Sequence, residues 1–236
     1  MGRPSLEARD LMVDAYYNHQ SKEILIAHFK HGTSYISNVL NHSDDWIYMK
    51  QIIESEEVAS NELQWMHPKY NDYTKYITIR EVEKTLVSAF CYEMRTGLAS
   101  FIVDETQTKA LYANSLKKFI QLAGGSKAMI DRWMKVTMHG NGTLQSVFYA
   151  SAFPKCTENI LNAIDVVIPM NELASFFTDR GLAVPDKIPN ETHKMIIQTT
   201  REVFEEEGVF DYLKFSCPQP YAYKKKLLEK PLYSTT

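Results

Sequence analysis

The chain has 236 residues, of which 44% are hydrophobic and 23% charged, with a formal net charge of −3. These proportions are ordinary for a soluble globular protein of one large or two small domains. The sequence contains neither the ~18 consecutive apolar residues of a membrane span nor an apolar signal peptide, so we expect a cytoplasmic protein.

The residues that carry chemistry are sparse. Cys91, Cys156 and Cys217 are far apart and odd in number, which fits neither a disulfide framework nor a zinc site. The histidines lack carboxylate or cysteine partners at ligand spacing, and no glycine-rich nucleotide fingerprint is present. The sequence therefore predicts no metal, no cofactor and no enzymatic activity.

The N-terminal third has the spacing of short helices. Residues 6–18 place an apolar residue every three or four positions, which predicts an amphipathic helix. In residues 21–40, two further apolar sets flank a tight turn at Lys30 to Gly32. The first set is Leu25, Ile26 and Phe29, and the second is Ile36, Val39 and Leu40.

Residues 21–40 resemble the helix-turn-helix of DNA-binding proteins, with two departures: Ile26 replaces the usual small residue, and Lys30 replaces the usual turn glycine. The resemblance implies a trihelical fold whose last helix lies in the major groove of double-stranded DNA. Lys22, Lys30 and His31 would then lie near phosphates. The side chains expected on the DNA-facing side are Thr33, Ser34, Tyr35, Ser37, Asn38 and Asn41.

The rest of the chain also shows helical periodicity. Asp44 and Asp45 can cap a helix through Ile53, residues 66–77 are an irregular connection, and a capping box at residues 78–81 starts another helix. The predicted fold is all-α: a helix-turn-helix module at 1–65, a helical domain for oligomerisation or partner contact at 78–217, and a mobile basic tail at 218–236.

Residues 115–136 form a second candidate helix-turn-helix, with Gly124 at the turn. Lys127, Arg132 and Lys135 lie on its second helix and could contact DNA. Residues 109–135 hold six basic residues against one acid, a local charge of +5. Residues 1–45 hold four basic residues against six acids, a charge of −2. The basic field is therefore expected around this second motif.

We therefore expect a sequence-selective DNA-binding protein, most readily a transcriptional regulator of phage or plasmid type that acts as a homo-oligomer. The order of an N-terminal helix-turn-helix, a helical middle and a basic tail is also similar to phage small terminase subunits, which bind packaging DNA. A third interpretation is a non-catalytic helical protein that binds or inhibits a protein partner. The basic tail could contact such a partner in any of these cases.

Overall fold

The chain folds as a mixed α/β protein with one five-stranded sheet. The computed structural model describes residues 11–28, 30–53, 64–96, 108–135, 154–185 and 194–234. The strands are β1 Leu11–Asn18, β2 Glu23–His28, β3 Trp46–Ile53, β4 Thr74–Ile79 and β5 Val166–Pro169.

The described residues also contain nine α-helices, with short 3-10 turns between some elements. In chain order, the helices are α1 Thr33–Leu40, α2 Val82–Thr96, α3 Lys109–Leu122, α4 Gly125–Lys135, α5 Pro154–Ala163, α6 Leu173–Thr178, α7 Lys194–Glu206, α8 Val209–Ser216 and α9 Gln219–Leu227.

The strand order is β3-β1-β2-β4-β5. β1 runs antiparallel to both of its neighbours, and its Ala15 lies opposite Ile26 of β2 and Met49 of β3. β2, β4 and β5 are parallel to one another. Their carboxyl ends therefore lie at one edge of the sheet, which we call the carboxyl edge, and the β1–β2 hairpin turn lies at the opposite edge.

Helices cover both faces of the sheet. Alternate residues of β2 belong to two apolar clusters: Ile24 and Ile26 pack with α5 and α9, and Leu25 and Ala27 pack with α1 and α6. A third apolar cluster joins α2, α3, α4, α7 and α8 beside the sheet. The sheet is thus the middle layer of a three-layer α/β/α arrangement with a helical extension.

The all-α, trihelical prediction is wrong, because the first predicted helix of the motif and the helices predicted before and after the motif are strands β2, β1 and β3. Residues 24–27 are all buried, since β2 is covered on both faces. A short, β-branched apolar run is typical of such a central strand. Trp46–Ile53 is likewise a strand rather than a helix. The remaining anchor of the first motif, Phe29, lies outside the described residues.

Strand pairing crosses the boundary predicted after residue 65. β1, β2 and β3 come from residues 1–65, yet β2 pairs directly with β4, which lies beyond the predicted boundary. The three described strands of this predicted module therefore belong to one sheet with the later strands, and the trihelical prediction for it is wrong.

Residues 218–234 are folded, unlike the mobile tail that the sequence predicts. Tyr223 and Leu227 of α9 are buried among the residues beneath the sheet. Leu232 then forms a parallel bridge with Val167 of β5. Apolar side chains at positions 223 and 227, four residues apart, supply the single buried stripe that docks α9.

Candidate functional site

Two βα connections meet at the carboxyl edge. β2 leads into α1 through Lys30, His31 and Gly32, and β4 leads into α2 through Arg80 and Glu81. In open α/β sheets, ligands commonly bind in the crevice outside the carboxyl ends of the parallel strands. This edge is therefore the first place to look for a functional site.

The β2–α1 connection turns sharply. Lys30 and Gly32 both have left-handed backbones, with φ of +66° and +87°. A Cβ on Gly32 would lie 2.9 Å from Met170 Cε, so that side chain would have to shift, and the left-handed φ itself favours glycine. The Lys30 ammonium lies 3.4 Å above the centre of the Tyr92 ring on α2.

His31 fixes the two connections to each other. Its Nδ1 donates to the Thr78 carbonyl at 3.2 Å, and the Thr78 hydroxyl donates to the His31 carbonyl at 2.9 Å. The Thr85 hydroxyl lies 3.4 Å from His31 Nε2. This arrangement requires the hydrogen on Nδ1 and leaves Nε2 as an acceptor in the neutral ring.

The protein keeps this histidine neutral. The pKa of His31 is lowered to about 4, mainly by burial; the hydrogen bond to Thr78 raises it, and the nearby charges of Arg80 and Lys224 lower it. Burial and the neighbouring His31 also hold the pKa of His28 well below its usual range. The two rings lie 5.7 Å apart and edge to face.

Arg80 lies at the centre of the carboxyl edge. Its side chain is half-buried, and its Nη1 donates to the Lys30 carbonyl at 2.9 Å. Among the described residues, no carboxylate forms an ion pair with this guanidinium. Burial lowers its pKa from the usual value, and the adjacent Glu81 partly offsets that effect. A guanidinium has five N–H donors, so the described residues occupy only part of its bonding capacity.

Further cations act on Glu81, the residue that follows Arg80. Lys84 pairs with Glu81 at 3.0 Å and lowers the pKa of that carboxyl, and the charges of Lys224 and Arg201 lower it as well. We call Arg80, Lys84, Arg201 and Lys224 the basic cluster. Three of these cations, Lys84, Lys224 and Arg201, act on the carboxylate of Glu81, which directly follows Arg80. This edge is therefore a region of positive potential on a chain of net negative charge.

The structure separates the residues of the first predicted DNA site. Lys22 precedes β2 and pairs with Asp72, whereas Lys30 follows β2, so the two lie at opposite ends of a strand about 20 Å long at ~3.3 Å per residue. Ser34 and Asn41 are exposed. Tyr35 is only 8% exposed, and its ring lies 5.9 Å from that of Phe177.

The other predicted side chains of α1 are half-buried. Thr33, Ser37 and Asn38 belong to this group, and Ser37 is hydrogen-bonded to Tyr16 on the sheet. The helical phase predicted for α1 is nevertheless confirmed, because Ile36, Val39 and Leu40 are buried. What changes is the surrounding layer, since α6 covers part of the surface that was expected to face DNA.

The second predicted site does consist of two helices around a turn, α3 and α4, with Gly124 at φ +94°. Its cations are largely paired: Lys127 bonds Asp131 at 2.7 Å. The pairs Lys109–Glu202 and Lys117–Glu206 join α3 to the acidic face of α7. Arg132 and Lys135 lie in α4, and their side chains are outside the described part of the structure. DNA contact by these residues stays a prediction.

Sequence reasoning missed the basic cluster because its members are far apart in the chain. Arg80 could have been found, since it directly follows an alternating β-branched segment, the usual position of a binding residue at the end of a parallel strand. The later cations stand at positions 201 and 224, on helices whose packing no local pattern predicts.

No known protein family, curated protein or solved structure matches this chain. Within the described residues, no three metal-binding side chains form a group that could hold an ion. None of the described helices combines the length and the apolar character that crossing a membrane requires.

Proposed function

We propose that the protein binds a phosphate-bearing anion at the basic cluster, with Arg80 as the central ligand. The observation that carries the proposal is a half-buried guanidinium that has a single hydrogen bond, to the Lys30 carbonyl, and no carboxylate partner among the described residues. Removing a charge from water costs several kcal/mol unless a counter-charge offsets that cost. A phosphate group supplies the charge and can accept two parallel guanidinium hydrogen bonds.

The surroundings of Arg80 suit an anion in other respects. Lys224 is half-buried and Arg201 and Lys84 are exposed, so the positive charge extends from the sheet edge to the surface. The first turn of α1 has no side-chain cap, and backbone N–H groups at such a helix start favour negative charge. His31 is buried and bonded to Thr78, so we propose that it positions the connection and does not act as a base.

DNA remains the second candidate ligand, because a duplex presents the same phosphate groups. The exposed Ser34 favours this candidate, since it lies in the first turn of α1, four residues from Lys30, where a side chain could contact a base. In this proposal the phosphates bind the basic cluster, and α1 reads sequence without a helix-turn-helix. A role in transcription or in DNA packaging would rest on that binding.

The test compares small and polymeric phosphates. Calorimetry with pyrophosphate, and fluorescence anisotropy with duplex DNA, are run at matched ionic strength on the native protein and on Arg80→Gln. We expect at least tenfold weaker binding in the variant, because both the charge and the paired hydrogen bonds are lost. Arg80→Lys should fall in between, since it keeps the charge alone.

Lys118→Gln is the matched control, because it removes one charge from an exposed residue of α3 outside the cluster. If Arg80→Gln loses pyrophosphate binding but keeps DNA binding, the ligand is a small phosphate compound. If the variant also loses DNA binding, DNA is supported as the ligand. If the native protein binds neither, or if Arg80→Gln and Lys118→Gln behave alike, the proposal is overturned. A dimer in solution would favour the transcriptional regulator, and a large ring would favour the packaging subunit. An absence of DNA binding would favour the protein-interaction alternative.

A further inference from the structure

We infer that the outer side of β5 is a strand-docking site through which two copies of this chain exchange residues 231–234, which we call the C-terminal strap. Within one copy the strap already lies along this strand, where Leu232 forms a parallel bridge with Val167. The same contacts can form between two copies, each of which donates its strap to the other. The inference does not depend on the proposed anion binding, because these contacts do not involve Arg80.

The backbone of β5 is completed by the strap. β5 is the last strand of the sheet, and the strap pairs with it on the side away from β4. The Val167 N–H donates to the Pro231 carbonyl, and the Tyr233 N–H donates to the Val167 carbonyl, each at 2.8 Å. Without the strap, both groups would lose these partners, and an edge strand in that state readily pairs with an extended segment of another chain.

The side chain of Tyr233 anchors the strap. Its ring lies 5.3 Å from that of Phe176, and the Arg180 guanidinium carbon lies 5.9 Å from its centre. The Tyr233 hydroxyl donates to Asp179. The other strap residues, Pro231, Leu232 and Ser234, are exposed. Because so few contacts hold the strap, its local opening should need much less free energy than unfolding of the sheet.

Opening of the strap leaves α9 in place. Leu227, the last residue of that helix, is 1% exposed and packs beneath the sheet. Three residues, 228–230, connect it to the strap, and the Lys230 N–H donates back to the Leu227 carbonyl at 3.0 Å. This short turn keeps the strap beside the β5 of its own copy. The length of the connection should therefore decide between docking within one copy and docking between two.

Exchange between two copies conserves the contacts of the strap. Each Tyr233 would again lie beside Phe176, and each strap would again bond to Val167, now in the second copy. The two arrangements therefore differ mainly in the strain of the connection and in the cost of bringing two copies together, which falls as the protein concentration rises. Reciprocal exchange closes on itself, so the expected product is a two-fold symmetric dimer.

The first experiment changes the length of the connection in the full chain. Deletion of Glu229 and Lys230 removes the turn, whereas insertion of Gly-Ser-Gly after Glu229 relaxes it. Gel filtration with light scattering over a concentration series should show the dimer of the deletion variant at roughly tenfold lower concentration than that of the native protein, and the dimer of the insertion variant at roughly tenfold higher concentration. Deletion of Thr235 and Thr236 is the length-matched control and should behave like the native protein.

Tyr233→Ala, added to the deletion variant, identifies the contact. The dimer should then be lost, because the strap has no anchor in either copy. Hydrogen exchange measured by mass spectrometry should show residues 164–170 protected in the dimer and exchanging faster in the double variant. A monomeric deletion variant whose β5 exchanges faster than that of the native protein would overturn the inference, since the strand would be open and no second copy would dock. A dimer that is insensitive to connection length, or that survives Tyr233→Ala, would overturn it as well.

A synthetic peptide of residues 229–236 tests the docking site independently. By fluorescence anisotropy, the labelled peptide should bind the full-length Tyr233→Ala chain roughly tenfold more tightly than the native chain, because the strap of the native chain competes better. Methylation of the peptide nitrogen of Tyr233 should abolish binding, since this N–H donates to Val167. Methylation at Leu232 is the matched control and should leave most of the binding. If the peptide does not bind, or if the two methylated peptides bind alike, β5 is not a strand-docking site.

Discussion

Replacing His31 with asparagine should change how stability depends on pH. The asparagine amide can still donate to the Thr78 carbonyl as Nδ1 does, but it does not titrate. In the native protein the pKa of His31 is lowered from 6.5 to about 4. The unfolded chain therefore binds a proton at a higher pH than the folded chain does, and acid favours unfolding.

The expected size follows from those two pKa values. They differ by about 2.5, and each pKa unit corresponds to about 1.4 kcal/mol, so the contribution of His31 is about 3 kcal/mol. This stability is fully present above pH 6.5 and is lost progressively as the pH falls from 6.5 towards 4. The neighbouring His28 acts in the same direction in the native protein and in the variant.

The measurement is urea unfolding at several pH values from 7 to 4.5, in buffers without phosphate. The free energy of unfolding of the native protein should fall more steeply than that of His31→Asn. His42→Asn is the control, because the exposed His42 makes the same kind of Nδ1 hydrogen bond, to the Asn38 carbonyl. Parallel curves for the native protein and His31→Asn would refute the assignment of a buried, neutral His31.

Three further predictions concern stability and reactivity. Glu23→Gln should lower the free energy of unfolding by about 3 to 5 kcal/mol, because it removes the only carboxylate paired with Arg180 among the described residues. Gly32→Ala should cost more than about 1 kcal/mol, since φ is +87° and the new Cβ would clash with Met170. Cys91 should react with a thiol reagent at pH 8 about 100-fold more slowly in the native than in the unfolded protein, because burial raises the pKa of its thiol to about 11.

The chain offers matched controls for the first two predictions. Lys22→Gln breaks the exposed pair with Asp72 and should cost less than about 1 kcal/mol. Gly125 has a similar φ of +89°, and no atom lies within 4 Å of the Cβ that alanine would add. Gly125→Ala therefore introduces the backbone strain without a steric clash. The free energy of unfolding is measured by urea unfolding. If a test variant and its control lose the same free energy, the explanation given for that test variant is wrong. Labelling of Cys91 in the native protein, followed by peptide mass spectrometry, would contradict the third prediction if it were rapid.

Helical phase could be predicted from the sequence wherever a helix packs one face. The buried set of α1 was identified correctly, and α2 confirms the helix expected after the capping box at residues 78–81. In such segments the 3.6-residue period is imposed by a single apolar surface, and local spacing carries the information.

The strands could not be identified in the same way. Residues 24–27 are all apolar, so the sequence shows no alternation of apolar and polar residues that would indicate a strand. The same residues fit the apolar spacing of a helix equally well. The choice is made by β1 and β4, which pair with β2 on its two sides. This strand pairing is a tertiary contact, and only β1, of the two partners, is adjacent to β2 in the sequence.

Counting charges along the sequence also gave a poor guide to the surface charge, for a related reason. Residues 109–135 sum to +5, but α7 places Glu202 and Glu206 against Lys109 and Lys117 and neutralises much of that field. The basic cluster is the converse case, because it combines Arg80 and Lys84 with Arg201 and Lys224, more than 100 positions further along the chain. A net charge summed over a stretch of sequence describes the folded surface only where the residues that contact that stretch also lie near it in the sequence.

The interval between β4 and β5 has a consequence for synthesis of the chain. Val166 follows Ile79 by 87 residues, so at about 5 to 20 residues per second a ribosome needs roughly 4 to 17 s to supply the neighbouring strand. During that time the outer edge of β4 can form no β5 pairing. Unpaired strand edges are prone to pair with other chains, so aggregation during expression should depend on how quickly this stretch is translated.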